Sequence, residues 1–155
     1  MLQRKIIVLW GNFNKVVGII VLNQATDYAL RMSLHLSKKG SNDITDAASI
    51  SEKEKIPKRF LFKIINNLTR AGIVKSVRGK NGGFMLARSP EEITLYDIIE
   101  AAEGAIAVNK CLLDPNKCNK EATAHCIVRK ELDKLRNEQI HKLQSISLKN
   151  LLEDA

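Results

Sequence analysis

Cys111, Cys118 and Cys126 are separated by six and seven intervening residues in a polar stretch that also holds Pro115, Asn116 and Asn119. Three thiols in a segment without clear periodicity can fold around an iron–sulfur cluster, which takes thiolate ligands and sometimes nitrogen or oxygen ligands. A structural zinc site would more often show Cys-x-x-Cys pairs, and none occurs here. Three thiols leave a fourth position open. His125 is a candidate by proximity, although side chains on neighbouring residues often cannot point at one metal. The plainer reading is three unligated thiols on a loop. An odd number of cysteines without a secretion signal argues against a disulfide framework and for a reducing, cytoplasmic setting.

A second group of residues has a different chemistry. Arg59, Lys63, Asn66 and Arg70 follow one another at steps of four, three and four, which places them on one face of a helix. Lys58 precedes them, and Arg78 and Lys80 lie just beyond. Arginine and asparagine can bond guanine and adenine edges through two atoms, while lysine mostly meets phosphate. The plainer reading here is a solvated basic face. The charge distribution favours the polyanion. The chain carries a net +8, yet residues 22–90 hold 13 Lys and Arg against five Asp and Glu, while residues 91–155 hold nine against twelve. The excess positive charge therefore coincides with the basic helix.

The elements that must position these groups are legible from periodicity and punctuation. Of the 155 residues, 45% are hydrophobic and only 5% aromatic, so the core is aliphatic. A first helix is predicted over residues 23–38, with Leu22, Ala25, Ala29, Met32 and Leu36 on one side. A second covers residues 46–55 with Thr45 as its N-cap. The third opens at Pro57 and closes before Gly72, burying Phe60, Leu61, Ile64, Ile65 and Leu68. Residues 73–78 and 84–87 read as a hairpin, its turn marked by Asn81-Gly82, both residues tolerating positive φ. Thr94 and Asp97 form a capping box for a short helix that ends at Gly104 and buries Ile98, Ile99 and Ala102. Residues 126–152 read as one long amphipathic helix with Leu132, Leu135, Leu143 and Ile146 along a seam that Gln139 interrupts.

Helix, helix, basic helix and Gly-rich hairpin is the winged helix-turn-helix order. The fold class is mainly α with a small β-hairpin wing. In that arrangement Lys58, Arg59, Lys63 and Asn66 face the major groove of double-stranded DNA, and Arg78 and Lys80 reach the adjacent minor groove. No nucleophile–base pair or metalloprotease motif is present, and the glycine-rich run at residues 79–83 lacks the Lys-Ser/Thr of a nucleotide loop, so an enzyme is not expected.

Several segments resemble one family: LNQATDYALR at residues 22–31, IPKRFL at 56–61, LTRAGIV at 68–74, VRGKNGGF at 77–84 and ITLYDIIEA at 93–101. They are similar to the winged-helix regulators that include the iron–sulfur cluster regulator, the nitric-oxide-sensitive repressor and the cysteine-metabolism repressor. The resemblance implies a homodimer joined by the C-terminal helix, an operator with two half-sites, and repression governed by a [2Fe–2S] or [4Fe–4S] cluster sensing redox state, nitric oxide or iron. It also offers Asp27 as the fourth ligand, since nitric-oxide-sensitive members place a carboxylate from the partner subunit there. The histidine that the cluster regulator has three residues after its last cysteine is replaced here by Arg129. Other members lack these cysteines, so the alternative is a cluster-free regulator answering to thiol oxidation, a metabolite or a partner protein.

The resulting organisation has a DNA-binding domain at residues 22–104, a sensor loop at 105–126 and a dimerisation helix at 127–155. Residues 1–21 form an N-terminal extension. Family members begin near Leu22, so Val21 reads as a GTG-encoded initiator with residues 1–20 an upstream over-reading of the gene, the alternative being a real extension that docks as an extra strand or helix. The apolar run in that segment, residues 6–10, is too short to span a bilayer, so no membrane association is expected.

Overall fold

The first helix, α1 (Gln24–Lys39), is fixed at its start by Asn23, whose side-chain oxygen accepts the backbone N–H groups of Ala25 and Thr26 at 2.8 and 3.1 Å. A computed structural model describes residues 22–40 and 43–153, so the expectations for residues 1–21 lie outside it. Met32 and Leu36 of α1 are fully buried. They pack against Ile50 of α2 (Ala47–Glu54) and against Leu61 and Leu68 of α3 (Lys58–Arg70) within one aliphatic cluster. His35 Nδ1 lies 2.7 Å from Glu54 Oε1 and ties α1 to the end of α2.

Thr45 does not cap α2. Asp46 does, its carboxylate accepting the N–H groups of Ala48 and Ser49 at 2.9 and 3.0 Å. Thr45 instead exchanges two backbone hydrogen bonds of 2.9 Å with Phe84. That bridge extends the antiparallel hairpin of β1 (Val74–Val77) and β2 (Gly83–Leu86) by one more segment. The turn also differs from the expected Asn-Gly type. Positive φ falls on Gly79, at 123°, and not on Asn81 or Gly82. Gly83 serves a close approach: a Cβ there would stand 2.5 Å from the Thr45 carbonyl oxygen.

The next helix, α4 (Leu95–Glu103), carries the expected capping box of Thr94 and Asp97. Ile98 and Ile99 are buried, and Ala102 is half-buried against the core. Glu103 at its end accepts hydrogen bonds from the Asn23 backbone and the Thr26 hydroxyl, joining α4 to the start of α1. A one-turn helix, α5 (Lys110–Leu113), and a 3₁₀ turn (Pro115–Lys117) lead to α6 (Ile127–Gln144).

The single helix expected over residues 126–152 is broken. It stops at Gln144, and a separate helix, α7 (Leu148–Glu153), follows. Ser147 explains the break. Its N–H and hydroxyl both donate to the Asn150 side chain, and its hydroxyl accepts the Asn150 N–H at 3.2 Å. This local capping arrangement competes with helix continuation. The Leu95 N–H then bonds the Ile146 carbonyl, and the Leu148 N–H bonds that of Ile93, both at 2.9 Å. Leu148, 1% exposed, thereby enters the same core as α1.

Candidate nucleic-acid interface

Helix α3 has two chemically opposite sides. Leu61, Ile64, Ile65 and Leu68 are buried, while Lys58, Arg59, Phe62, Lys63, Asn66 and Arg70 face solvent. Phe60 is half-buried, with its ring 6.0 Å from that of Tyr28 and the Arg59 guanidinium 4.8 Å from its centroid. No side chain caps the helix N-terminus and no acid lies in its first turn. Helices α1, α2 and α4 all have capping side chains. Basic residues beside the positive end of a helix dipole are locally unfavourable, and an approaching anion reverses that balance.

The wing places Arg78 and Lys80 in its exposed loop, beside exposed Lys75 on β1. Among the described residues, Lys58, Arg59, Lys63, Arg78 and Lys80 make no ion pair. Arg88 is different. Its Nε and Nη1 donate to the Gly72 and Glu92 carbonyls at 3.3 and 3.2 Å, and Nη2 lies 3.8 Å from Asp97, so its charge holds the hairpin base to α4. Arg70 donates to Asn67 Oδ1 at 2.6 Å and shields the end of α3. Lys58, Arg59, Lys63, Arg78 and Lys80 are thus exposed cations without a carboxylate partner on the outer side of α3 and on the wing.

Sequence reasoning missed Phe62. The signal was present, because the buried stripe already accounts for α3's inner face and residue 62 falls outside it.

The cysteines occupy three separate settings. Cys111 lies within α5, Cys118 follows the 3₁₀ turn, and Cys126 caps α6 by accepting the Arg129 N–H at 3.4 Å. All three are free and half-buried. Arg129 Nε donates to the Cys111 carbonyl at 3.2 Å and links the ends of the segment. Backbone N–H groups of Ala122, Lys120 and Glu121 favour the Cys118 thiolate and hold its pKa below the usual thiol range. His125 is exposed beside Cys126, in a cleft that also includes Arg129 and Asp133. Asp27 is engaged elsewhere, with Arg31 Nη2 2.6 Å from its carboxylate. Among the described residues, no three His, Cys, Asp or Glu side chains are grouped to hold a metal ion. The thiolate chemistry suits iron, but the fold of one chain does not converge Cys111, Cys118, Cys126 and Asp27.

The model of the Rrf2 family, described as iron-dependent transcriptional regulator, matches residues 22–154. The chain belongs to the Rrf2 family. A relative named NsrR, an HTH-type transcriptional regulator of Bacillus licheniformis, is 34% identical over 107 residues, covering 69% of this chain and 70% of the relative. The structure of CymR, the global cysteine regulator of B. subtilis, superposes with a TM-score of 0.71 at 27% identity, covering 88% of this chain and 99% of CymR. IscR of T. potens gives 0.68 at 26% identity, covering 87% and 88%. As an Rrf2 member the chain is a DNA-binding transcription regulator with a winged helix, and its relatives are regulators, not enzymes. Among the described residues, no helix is long and apolar enough to cross a membrane.

Proposed function

We propose that this chain is a cytoplasmic, homodimeric repressor in which α3 enters the major groove of operator DNA and the wing follows the adjacent minor groove. The observation that carries this reading is the outer side of α3, where Lys58, Arg59, Lys63 and Asn66 are exposed and the cations lack carboxylate partners. Arg59 and Asn66 address base edges, Lys58 and Lys63 meet phosphate, and Arg78 and Lys80 enter the minor groove. Helix α6 supports the dimer. It buries no residue of its own, and Ile127 and Val128 at its start are 79% and 65% exposed. Two copies joined along α6 would present two recognition helices to a near-palindromic site. The DNA-binding unit is residues 22–104 together with α7, the sensor is residues 105–126, and α6 is the dimer element.

The segment carrying Cys111, Cys118 and Cys126 is the sensor, and an iron–sulfur cluster is its proposed cofactor, which requires the three thiols to draw together from the separate settings they occupy in one chain. The cluster would supply redox and nitric-oxide reactivity. The chain's residues supply thiolates, Arg129 fixes the two ends of the segment, and Asp27 or exposed His125 is the candidate fourth ligand. Asp27 serves only after leaving Arg31. A second reading is favoured by the Cys118 surroundings: amide groups that stabilise a thiolate also suit a cluster-free thiol switch. Anaerobic purification with iron, sulfide and visible-absorption measurements separates the two. Stoichiometric iron and charge-transfer absorption support the cluster; iron-free protein whose DNA affinity changes on thiol oxidation supports the switch. Operator affinity should fall steeply with salt in either case. Salt-insensitive binding would overturn the interface.

A further inference from the structure

Phe62 is 54% exposed in the middle of a basic helix face, and nothing in the fold accounts for it. The inner side of α3 is already filled by Leu61, Ile64, Ile65 and Leu68, and Phe60 packs towards Tyr28. Phe62 therefore has no place left in the core. It stands four residues after Lys58, three after Arg59, directly before Lys63 and four before Asn66. At 3.6 residues per turn it falls inside the arc that those four side chains span. Among the described residues the other exposed large hydrophobics are Ile44, before Thr45, and Val108, Leu113, Ile127 and Val128, in the sensor segment and α6, and none of them lies on α3.

An apolar ring surrounded by cations and an amide needs an apolar feature on a polar, anionic surface. The major groove offers one on its base edges, the C5-methyl group of thymine. We infer that Phe62 reads a thymine in each half-site by packing its ring on that methyl group. This rests on the reading that α3 occupies the major groove. Asn66, one turn further on, is displaced by about 6 Å along the helix axis, comparable to one or two base steps. The half-site should then carry a Phe62-read thymine within one or two pairs of an adenine bonded by Asn66. Leucine or methionine at residue 62 would retain part of the preference, whereas alanine would remove it.

The test uses the full chain and an operator selected from a random duplex pool. Each thymine of the selected site is replaced in turn by deoxyuridine, which removes the methyl group and leaves base pairing intact. Dissociation constants are measured for the wild type, Phe62→Ala and Phe62→Leu at fixed salt. One position per half-site should weaken wild-type binding about fourfold, the worth of one buried methyl group. The same replacement should leave Phe62→Ala binding unchanged and affect Phe62→Leu to a smaller degree. A uridine scan that is flat for the wild type overturns the assignment, and it does so without any variant having to fold. So does a uridine effect that persists undiminished in Phe62→Ala. Arg59→Ala keeps the two claims apart. If it loses affinity while the uridine scan is flat, α3 still reads the groove and only Phe62 has been misassigned. If Arg59→Ala binds the selected operator normally, the groove reading itself fails.

Discussion

Lys63 and Asn66 sit one turn-step apart on α3, yet their chemistry predicts different losses. Lys63→Ala should weaken binding to all sequences about equally and reduce the salt slope by about 1, because it removes a phosphate contact. Asn66→Ala should cost about 1–3 kcal/mol at its own base position and relax the preference there. Binding titrations at several salt concentrations, with cognate and singly changed sites, distinguish the two. Both side chains are exposed, so neither change should move the melting temperature by much. Cys118 supports a pH prediction. Its folded pKa is lowered by the surrounding amides, chiefly those of Ala122 and Lys120, so its thiolate survives to lower pH than in the unfolded chain. In iron-free protein, alkylation of Cys118 should persist further down the pH scale than in denatured protein, followed by mass spectrometry. Equal pH profiles in the two states would show that the amide cradle does not operate. The chemistry of these residues was readable from type and spacing. Their partners were not, and Asp27 shows why: the Arg31 that occupies its carboxylate lies four residues away, where a helix makes such a pair as natural as a metal ligand.

Elements were read well where periodicity was strong and less well where two local caps competed. The apolar repeat of α3 located its buried side, and Thr94 with Asp97 marked the start of α4. Thr45 and Asp46 are both good caps by type, and only the pairing of Thr45 with Phe84 decides between them. The wing's turn was misread because Asn81-Gly82 looks sufficient by itself, while the left-handed residue is Gly79. Residues 145–147 hid the largest difference. Ser-Ile-Ser carries no proline or glycine, so the pattern runs through it as though it were helix. Ser147 acts as a stop through its own bonds with Asn150 together with the pairing of Ile93 and Thr94 to residues 147 and 148, and the second part is not visible locally. Leu148→Ala should accordingly cost about 2–5 kcal/mol, a value for a core position and not for a frayed helix end. Thermal unfolding measures it, and an unchanged melting temperature would mean α7 is not docked. Gly83→Val should also destabilise the wing, since its first side-chain atom would meet the Thr45 carbonyl.

At the scale of the whole molecule, the net positive charge and most of the exposed aliphatic side chains fall in different parts of the chain. Net positive charge collects in residues 22–90, which include α3 and the wing, while four of the five exposed large aliphatic side chains lie within residues 108–128, Ile44 being the fifth. The first surface suits a polyanion and the second suits another copy of the chain. Leu135 lies on α6, where no residue is buried within one chain. Leu135→Glu should convert a dimer into monomers in sedimentation and lower operator affinity by the loss of the second half-site. Retained dimerisation would place the contact elsewhere. The fold class followed from the sequence because helix order and the hairpin are local features. Whether the three thiols meet around one cofactor did not, since it depends on how separate segments come together.

The return of α7 into the core has a consequence for how the molecule is made. Leu148 packs with Met32 and Leu36, residues from the other end of the sequence. A nascent chain released as far as Gln144 has translated α3 and the wing but still lacks a side chain that closes the core around α1. Such long-range closure slows folding and leaves apolar surface open during synthesis. The reading head is therefore completed late, after the sensor segment and α6 have been synthesised. Arrest of translation at successive lengths should show protease resistance of α1 rising only once Leu148 has cleared the ribosome.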